Sequence, residues 1–426
     1  MRVLLVSANT EMINMPVLPL GMACVAKAVE DAGHKVSQLN LMAKSDALNG
    51  LIDSIRKTDP EVIGISVRNI DDQISSGNRF LLEPVKAIIE TCRTHSDANI
   101  VLGGAGYSIF PFHTLEYLDA DVGIQGEGER SFVELLDALQ NNQDYSGVNG
   151  VYDIKQGIKN PQKIEMGIDN LLLPEPNKHI WTLENVTDQA IWLPIQTRRG
   201  CPMNCSYCST PTIEGKIIRK RNIDSIVDAV MSYSDSGFDH FFFVDNTFNL
   251  PPGYAKLLCD KIVESGLKIK WRGIIYPWKI DEELVSKMAD SGCAEVSLGF
   301  ESGSNAILKN MNKRFDIDNV RHISDLLKSY GIGRMGFLLF GSPGETKQTV
   351  KESLEFVDSL NLNLVKVTIG LRIYPYTTLS DHAREIGAIS YDDNLLRPKF
   401  YIENDLENWI RMKVGDYVEE RPNWIY

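Results

Sequence analysis

The sequence predicts an α/β protein in which a doubly wound parallel sheet is followed by an incomplete (β/α) barrel and a mixed C-terminal tail. Two observations predict this fold class. Short apolar segments alternate with amphipathic helical patterns in two separate stretches, as in parallel sheets covered by helices. The chain has 426 residues, and because single hydrophobic cores stop growing near about 250–300 residues, we expect two large units.

The first unit is predicted to span residues 1–140. Its predicted strands are 3–6, 36–39, 62–67, 100–102 and 122–124. The segments between them have helical periodicity; Phe132, Leu135, Leu136 and Leu139, for example, fall on one helix face. This alternation predicts a Rossmann-like parallel sheet.

The second unit is predicted to span residues 191–385, after a linker at 141–190 that is rich in Asn, Gln, Asp, Gly and Pro. Its six predicted strands are 193–197, 239–244, 269–274, 294–298, 333–340 and 364–370. They would form a partial (β/α)6 barrel, whose catalytic groups collect at the carboxyl ends of the strands. Residues 386–426 form a C-terminal extension, in which Trp409 and Trp424 favour packing over a free tail.

Composition and charge exclude several classes of function. With 43% hydrophobic and 24% charged residues, the chain has the composition of a soluble globular protein. No stretch approaches the roughly 18 apolar residues of a membrane span, so we expect a cytoplasmic protein without one. The net charge of -13 disfavours nucleic acid. The basic run at 216–221 is too short for a nucleic-acid groove and is typical of a solvated loop or a clamp for one small anion.

Three of the seven cysteines lie close together, which favours a metal site over a disulfide framework. Cys201, Cys205 and Cys208 are separated by three and then two residues, directly after the first predicted barrel strand. Four thiolates complete the coordination of a four-iron cluster, so three leave one iron open. The alternative is a structural zinc loop, but zinc usually takes four ligands, and Cys259 and Cys293 lack paired spacing.

This cysteine loop resembles the signature of the radical S-adenosylmethionine (SAM) superfamily, including the aromatic Tyr207 just before the last cysteine. The resemblance implies a 4Fe-4S cluster on the three cysteines. It implies that SAM binds the open iron through its methionine amino and carboxylate groups. One-electron reduction would then cleave SAM to methionine and a 5'-deoxyadenosyl radical. It further implies an electron donor such as flavodoxin or ferredoxin.

Three segments at later predicted strand ends resemble the SAM-binding segments of the same superfamily. The resemblance implies that Asp245 accepts hydrogen bonds from the SAM ammonium group and that Glu301 binds the ribose. Residues 336–345, which include Gly341, would lie against the adenine. The alternative for the three segments is a buried aspartate cap, a turn and a core strand.

Two arginines in or beside predicted barrel strands are further candidates. Arg272 and Arg334 could bind the SAM carboxylate or a substrate anion, although structural ion pairs are more common. The segment 372–378 follows the sixth predicted strand. It would either meet substrate at the barrel mouth or cap it through tyrosine packing.

The first unit resembles the cobalamin-binding domain that precedes many radical SAM barrels. The resemblance rests on segments 19–22, 32–34, 62–66, 103–106 and 126–129. It implies that cobalamin contacts Ser66, Gly103, Gly104, Gly126 and Glu127. Glycine-rich turns let a large flat cofactor approach the backbone, and ligands bind at the carboxyl edge of such sheets.

No D-x-H-x-x-G motif is present to supply a histidine below cobalt, since His34, His95 and His113 occur in other contexts. The departure puts mutase chemistry in doubt and leaves cobalamin binding open. The alternative is a retained fold that binds only substrate or no cobalamin.

Taken together, the resemblances imply an enzyme that abstracts hydrogen from an unreactive carbon and methylates it from methylcobalamin. A small-molecule, lipid or peptide substrate is expected, because neither a second cysteine triad nor a basic appended domain is present. The alternatives are radical cyclisation, rearrangement or oxidation, as in the anaerobic porphyrin cyclases, and a non-catalytic cluster or cobalamin sensor.

Overall fold

The computed structural model of the protein describes residues 1–11, 16–44, 46–168, 171, 173–181, 183, 191–403 and 405–426. In these residues most strands fall into two seven-stranded sheets, and the others form two small antiparallel ribbons. None of the helices in these ranges is both long and apolar enough to cross a bilayer.

The first sheet has the strand order β2-β1-β3-β4-β5-β6-β7. Its strands are β1 (Arg2–Ser7), β2 (Lys35–Asn40), β3 (Val62–Ser66), β4 (Asn99–Gly103), β5 (Val122–Ile124), β6 (Val151–Asp153) and β7 (Ile158–Lys159). The first five are parallel, as the sequence predicts. The last two are antiparallel and extend the sheet into the predicted linker, because these short apolar segments pair across the edge that β5 would otherwise expose.

Helices cover both faces of the first sheet. They are α1 (Leu20–Asp31), α2 (Ala47–Thr58), α3 (Leu82–His95), α4 (Ala105–Ile109), α5 (Pro111–Leu118), α6 (Gly128–Gln140) and α7 (Lys178–Trp181). Side chains alternate across each strand, so Leu4 and Val6 pack with the core that contains α2 and α3. Val3 and Leu5 face α1 and α6 on the other side, in a core that continues into the second sheet.

The second sheet is parallel and open, with the order β18-β15-β14-β13-β12-β11-β8. The remaining strands of the chain are β8 (Leu193–Ile195), β9 (Arg198–Arg199), β10 (Arg219–Lys220), β11 (His240–Phe243), β12 (Lys270–Ile275), β13 (Cys293–Glu301), β14 (Gly333–Phe340), β15 (Leu364–Ile369), β16 (Leu371–Arg372), β17 (Phe400–Tyr401) and β18 (Trp424–Ile425). Each of the six predicted barrel strands overlaps an observed one. The seventh strand, β18, comes from the tail, where Trp424 is buried.

Several of the helices around the second sheet begin at side chains that cap them. They are α8 (Thr210–Glu214), α9 (Ile223–Asp235), α10 (Pro252–Glu264), α11 (Glu282–Asp290), α12 (Asn305–Asn310), α13 (Ile317–Ser329), α14 (Lys347–Ser359), α15 (Thr378–Glu385) and α16 (Glu407–Glu419). Asn222, Asp281 and Thr346 each accept a hydrogen bond from the first turn of the helix that follows. These helices fix the loops at the carboxyl ends of the strands.

Candidate functional site

The cysteine loop follows β9 and lies between the two paired strands β9 and β10 in the chain. Gly200 enters it with φ of +87°, and a Cβ there would lie 2.1 Å from the Ile217 carbonyl oxygen, so only glycine fits. The Cys201 amide donates to the Gly215 carbonyl (3.1 Å), and the Cys208 amide donates to the Cys205 carbonyl (3.2 Å). The backbone therefore holds the three cysteines in one compact loop.

The three thiols influence one another electrostatically. Burial, followed by the nearby charges of Cys208 and Cys205, raises the pKa of Cys201 to about 11. Among the described residues, no group of three or more His, Cys, Asp or Glu side chains is close enough together to hold a metal ion. Three sulfur donors on one short loop nevertheless match the chemistry of an iron–sulfur cluster.

The segment between α12 and α13 donates side-chain hydrogen bonds to the outer side of this loop. The Asn312 side-chain amide donates to the Asn204 carbonyl at 2.6 Å. Arg314 donates to the Pro202 carbonyl at 3.3 Å. The cysteine loop is thus anchored to the end of the fourth barrel unit.

Tyr207 and Glu301, both predicted from the sequence, lie on either side of Lys313. The Lys313 ammonium donates to the Tyr207 hydroxyl at 3.1 Å, to the Gly299 carbonyl at 3.2 Å and to Glu301 at 3.4 Å. Glu301 has φ of +69°, a strained conformation for a non-glycine residue and one that is common at functional sites. The sequence analysis missed Lys313, because a lysine in a loop between helices ordinarily extends into solvent.

Asp245 lies in a different environment from the predicted one. It is fully buried. Its carboxylate accepts from the Thr197 amide (2.8 Å), the Thr197 hydroxyl (2.5 Å) and the Arg198 amide (3.1 Å), and it pairs with the Arg198 guanidinium at 3.2 Å. These contacts involve both carboxylate oxygens, and the hydrogen bond from the SAM ammonium group to Asp245 stays a prediction. Asp245 fixes the chain between β8 and the cysteine loop.

Gly341 ends β14 beside a buried carboxyl group. It has φ of +101°, and its amide donates to Glu345 at 2.5 Å, while the Ser342 amide donates to the same carboxylate oxygen at 3.2 Å. Burial raises the pKa of Glu345 to about 7. Glu345 therefore shapes the turn that the sequence predicts to lie against the adenine.

The two arginine candidates are held by the protein itself. Arg334 is buried and donates to the Ser324 hydroxyl and to the carbonyls of Leu360 and Asn361 at 2.9–3.2 Å. Arg334 lies at the amino end of β14, whereas the candidate site lies at the carboxyl ends of the strands, at the opposite edge of the sheet. Arg272 stacks on Trp192, 4.5 Å from the ring centroid. Both arrangements favour the structural interpretation.

A cavity of about 390 Å³ lies at the carboxyl edge of the first sheet. Its lining includes all the residues predicted to contact cobalamin, which are Ser66, Gly103, Gly104, Gly126 and Glu127. A Cβ on Gly103 would meet nothing closer than the Ile124 carbonyl at 3.8 Å, so this glycine keeps open space. A Cβ on Gly104 would lie 2.6 Å from the Val67 carbonyl, so that glycine is required by the turn.

The second sheet supplies the opposite wall of this cavity. Its lining residues there are Pro194, Gln196, Arg199, Ile213, Glu214 and Val244. Glu214 accepts from the Gly200 amide at 3.0 Å and from Asn246 at 2.6 Å, and burial raises its pKa. The sequence analysis missed Glu214, although it lies only six positions beyond the last cysteine of the loop. Glu214 thus connects the cavity to the cysteine loop, at the boundary between the two units.

Glu127 and its neighbour Glu129 form ion pairs across this boundary. Arg219 binds Glu127 through two hydrogen bonds of 2.9 and 2.5 Å. Arg199 pairs with Glu129 and lies 3.2 Å from Glu127. Glu127 therefore lines the predicted cobalamin site while its carboxylate joins the two units, which the sequence analysis did not foresee.

The remaining candidates lie outside this boundary. His34, His95 and His113 do not line the cavity, and His34 contacts the N-terminal amine and Asp137 instead. In the segment 372–378, Arg372 forms a buried 2.9 Å ion pair with Asp71 of the first unit. This segment therefore fastens the two units together.

Comparison with protein families matches residues 195–357 to the radical SAM superfamily and residues 7–136 to the B12 binding domain. Tryptophan 2-C-methyltransferase of Streptomyces laurentii is 24% identical and aligns with 88% of this chain and 74% of its own. An uncharacterized methyltransferase of Pyrococcus horikoshii, PH0819, is 26% identical over 90% of this chain and 83% of its own. The solved structure of the radical SAM methyltransferase TsrM from Kitasatospora setae, with cobalamin and a [4Fe-4S] cluster bound, is 25% identical, with a TM-score of 0.80 over 91% of this chain and 75% of that one.

The radical SAM and B12 binding domains, together with the methyltransferase relatives, support a cobalamin-dependent radical SAM methyltransferase family for this chain. The predicted family, α/β fold class and enzymatic nature are confirmed, as are the three cofactors, a 4Fe-4S cluster, SAM and cobalamin. The alternative outcomes, a radical cyclase or oxidase and a passive sensor, are not favoured.

In this methyltransferase, Gly103 offers a direct test of the cobalamin site. We expect Gly103→Leu to project into the cavity, weakening corrinoid binding more than about tenfold while changing the free energy of unfolding by less than about 1 kcal/mol. Bound corrinoid is measured by absorbance after gel filtration. Gly415→Leu, at an uncrowded helix position outside the cavity lining, is the matched control. Undiminished corrinoid binding by Gly103→Leu would place the cofactor elsewhere.

Glu345 gives the methyltransferase a pH-dependent stability. The folded state binds its proton more tightly than the unfolded state, so this group stabilises the fold fully below pH 4.5, and that contribution is lost as the pH rises through about 7. We expect Glu345→Gln to remove up to about 3 kcal/mol of this dependence, at 1.36 kcal/mol per pKa unit. Denaturant unfolding of both proteins between about pH 5 and pH 8 measures it. A constant difference between the two across that range would contradict the assignment.

Proposed function

We propose that the protein methylates a carbon atom of a small molecule, with the cluster on Cys201, Cys205 and Cys208 and cobalamin in the cavity beside it. One observation carries this proposal. The cavity at the edge of the first sheet is also lined by residues of the second unit, including Glu214 of α8, whose carboxylate holds Gly200 at the entry to the cysteine loop. The two cofactors would therefore act on one enclosed space.

The chain's own residues would prepare this space for radical chemistry. When bound, the cluster supplies the electron that cleaves SAM, and cobalamin supplies a carrier for the methyl group. Tyr207 and Glu301 would orient SAM, and the turn at Gly341 would support its adenine. The buried ion pairs of Arg199 and Arg219 exclude water from one wall, which protects reactive species.

A small-molecule substrate is favoured over a lipid or peptide by the relatives. Tryptophan is the substrate in the name of one relative. Another, cytidylyl-2-hydroxyethylphosphonate methyltransferase of Streptomyces wedmorensis, is 25% identical over 89% of this chain and 80% of its own.

The proposed chemistry also requires an electron source and a reducing compartment. We infer a small low-potential carrier such as flavodoxin or ferredoxin as the donor. A cytoplasmic location fits the seven cysteines, all of which are free thiols.

The test is anaerobic reconstitution of the full chain with iron, sulfide and cobalamin, followed by SAM that carries a deuterated methyl group. We expect stoichiometric corrinoid, deuterated methyl transfer to the bound corrinoid, and a deuterated product after reduction in the presence of a metabolite extract. Reductive SAM cleavage by a protein that binds no corrinoid would overturn methyl transfer in favour of a cyclase or oxidase. No SAM cleavage despite full iron content would overturn radical chemistry altogether.

A further inference from the structure

Lys313 has an unusual position for a lysine in a loop. Its side chain is only 3% exposed, whereas the neighbouring Asn312 and Arg314 are exposed. Its ammonium has three acceptors, the Tyr207 hydroxyl, the Gly299 carbonyl and the Glu301 carboxylate, at 3.1–3.4 Å. The loop therefore directs the Lys313 ammonium inward, while the side chain of the neighbouring Arg314 stays exposed.

Burying an ammonium group is costly unless it is paired and hydrogen-bonded. The acceptors of Lys313 compensate for this cost, and the charges of Tyr207, Glu301 and Cys205 keep its pKa well above the ordinary value despite burial. Rings of Tyr207, Tyr276 and Phe315 surround the ammonium, with centroids 5.5–5.9 Å away. Lys313 is thus a fixed positive charge in a site of low polarity.

The acceptors of Lys313 come from two different parts of the site. Tyr207 immediately precedes Cys208 in the cysteine loop, whereas Gly299 and Glu301 belong to β13. The ammonium thereby links the predicted cluster ligands to the predicted ribose-binding strand end. Asn312 and Arg314 contact the same loop only through backbone carbonyls on its outer side.

We infer that Lys313 is a positioning residue of the radical site, which joins Tyr207 to Glu301 and places a fixed positive charge beside the cluster thiolates. The inference rests on the proposed cluster function. One-electron reduction makes the cluster more negative, and a fixed cation in a low-dielectric site stabilises that product more than the oxidised form. Lys313 keeps its proton throughout, and no bond to it forms or breaks. It therefore raises the reduction potential of the cluster and orders Glu301 for SAM.

The test compares Lys313→Met, which keeps the length and removes the charge, with Lys313→Arg, which keeps the charge. The cluster potential is measured by anaerobic redox titration with electron paramagnetic resonance, and SAM affinity by equilibrium dialysis of the oxidised holoenzyme. We expect the equilibrium constant for reduction of the cluster to be at least about tenfold smaller in the methionine variant. For a one-electron couple this lowers the reduction potential by about 59 mV. We expect its SAM affinity to fall about tenfold and the arginine variant to recover most of both losses.

The matched control is Asn312→Gly. This variant removes the hydrogen bond from Asn312 to the Asn204 carbonyl in the same loop without a change of charge. The backbone is not strained by the substitution, because Asn312 has φ of +58°, which glycine adopts freely. We expect its cluster potential to stay at the wild-type value. A shift in the control as large as that in Lys313→Met would show that loop packing, and not charge, sets the potential, and would overturn the inference.

Two further outcomes would also overturn it. These are an unchanged potential in Lys313→Met with full iron content, and equal losses in the methionine and arginine variants. Should the methionine variant not retain iron, Lys313→Gln repeats the test with a neutral side chain that still donates to Tyr207. Failure of the proposed function is seen separately, because the wild-type protein would then hold a reducible cluster and leave SAM intact.

Discussion

We expect Cys205→Ala to abolish reductive SAM cleavage and to leave the fold intact. Cys205 is only partly buried, and it lies in a loop whose backbone hydrogen bonds do not depend on its side chain. With two thiolates left, the cluster loses one of its three cysteine ligands. We expect iron and sulfide to fall to background. Reductive formation of 5'-deoxyadenosine should drop more than about 100-fold, since even outer-shell changes at metal sites cost 10–100-fold.

The matched control is Cys259→Ala. Cys259 is fully buried in the core beside α10, and burial raises its thiol pKa to about 12, so it is an inert apolar residue. We expect this variant to keep full iron and SAM cleavage while losing about 1 kcal/mol of stability through the small cavity. Normal iron content and SAM cleavage in Cys205→Ala would refute the assignment of the cluster to this loop.

The features of the candidate site that are visible in the sequence are local in the chain. The cysteine spacing spans eight positions, and the glycine turns of the first unit directly follow apolar strands, so both are visible without three-dimensional information. The sheet strands are predictable for the same reason, since a strand buried on both faces is a short apolar run. The five parallel strands of the first sheet and all six barrel strands follow from this pattern.

The parts that the sequence does not predict depend on contacts between distant residues. Lys313 and Glu301 meet only because β13 and the α12–α13 loop reach the same end of the sheet. Asp245 is a second example: its position at a strand end is visible in the sequence, but its hydrogen bonds to Thr197 and Arg198 on the neighbouring segment are not. Residue type and position on a strand predict where a side chain lies, while its partners decide what it can bind.

The same reasoning applies to the acidic residues after β5. In sequence, Glu127 and Glu129 belong to a glycine turn at a cofactor edge. In the structure, they are the first unit's half of a buried ion-pair cluster with Arg199 and Arg219. Arg199 lies two positions before Cys201, so this cluster fixes the wall of the cavity to the start of the cysteine loop.

Arg199→Met should therefore be among the most destabilising substitutions in the protein. It leaves the Glu129 carboxylate buried without its partner, and loss of one member of a buried pair costs about 3–5 kcal/mol. Burial opposes ionisation of Glu129, but the charge of Arg199 outweighs it and holds the pKa of that carboxyl below its usual value. The pair therefore contributes stability above the unfolded pKa of 4.5, which is lost as the pH falls through the lower folded value.

The pH dependence distinguishes a charge effect from a packing effect in this variant. Without Arg199, burial alone raises the Glu129 pKa, so the destabilisation should be larger at pH 8 than at pH 5 by about 1–2 kcal/mol. Denaturant unfolding of the apoprotein at both pH values measures this. The double variant Arg199→Met with Glu129→Gln should recover part of the loss, because no unpaired charge stays buried at this position. A cost that is equal at both pH values and is not recovered in the double variant would mean that the arginine stem, rather than the ion pair, joins the two units.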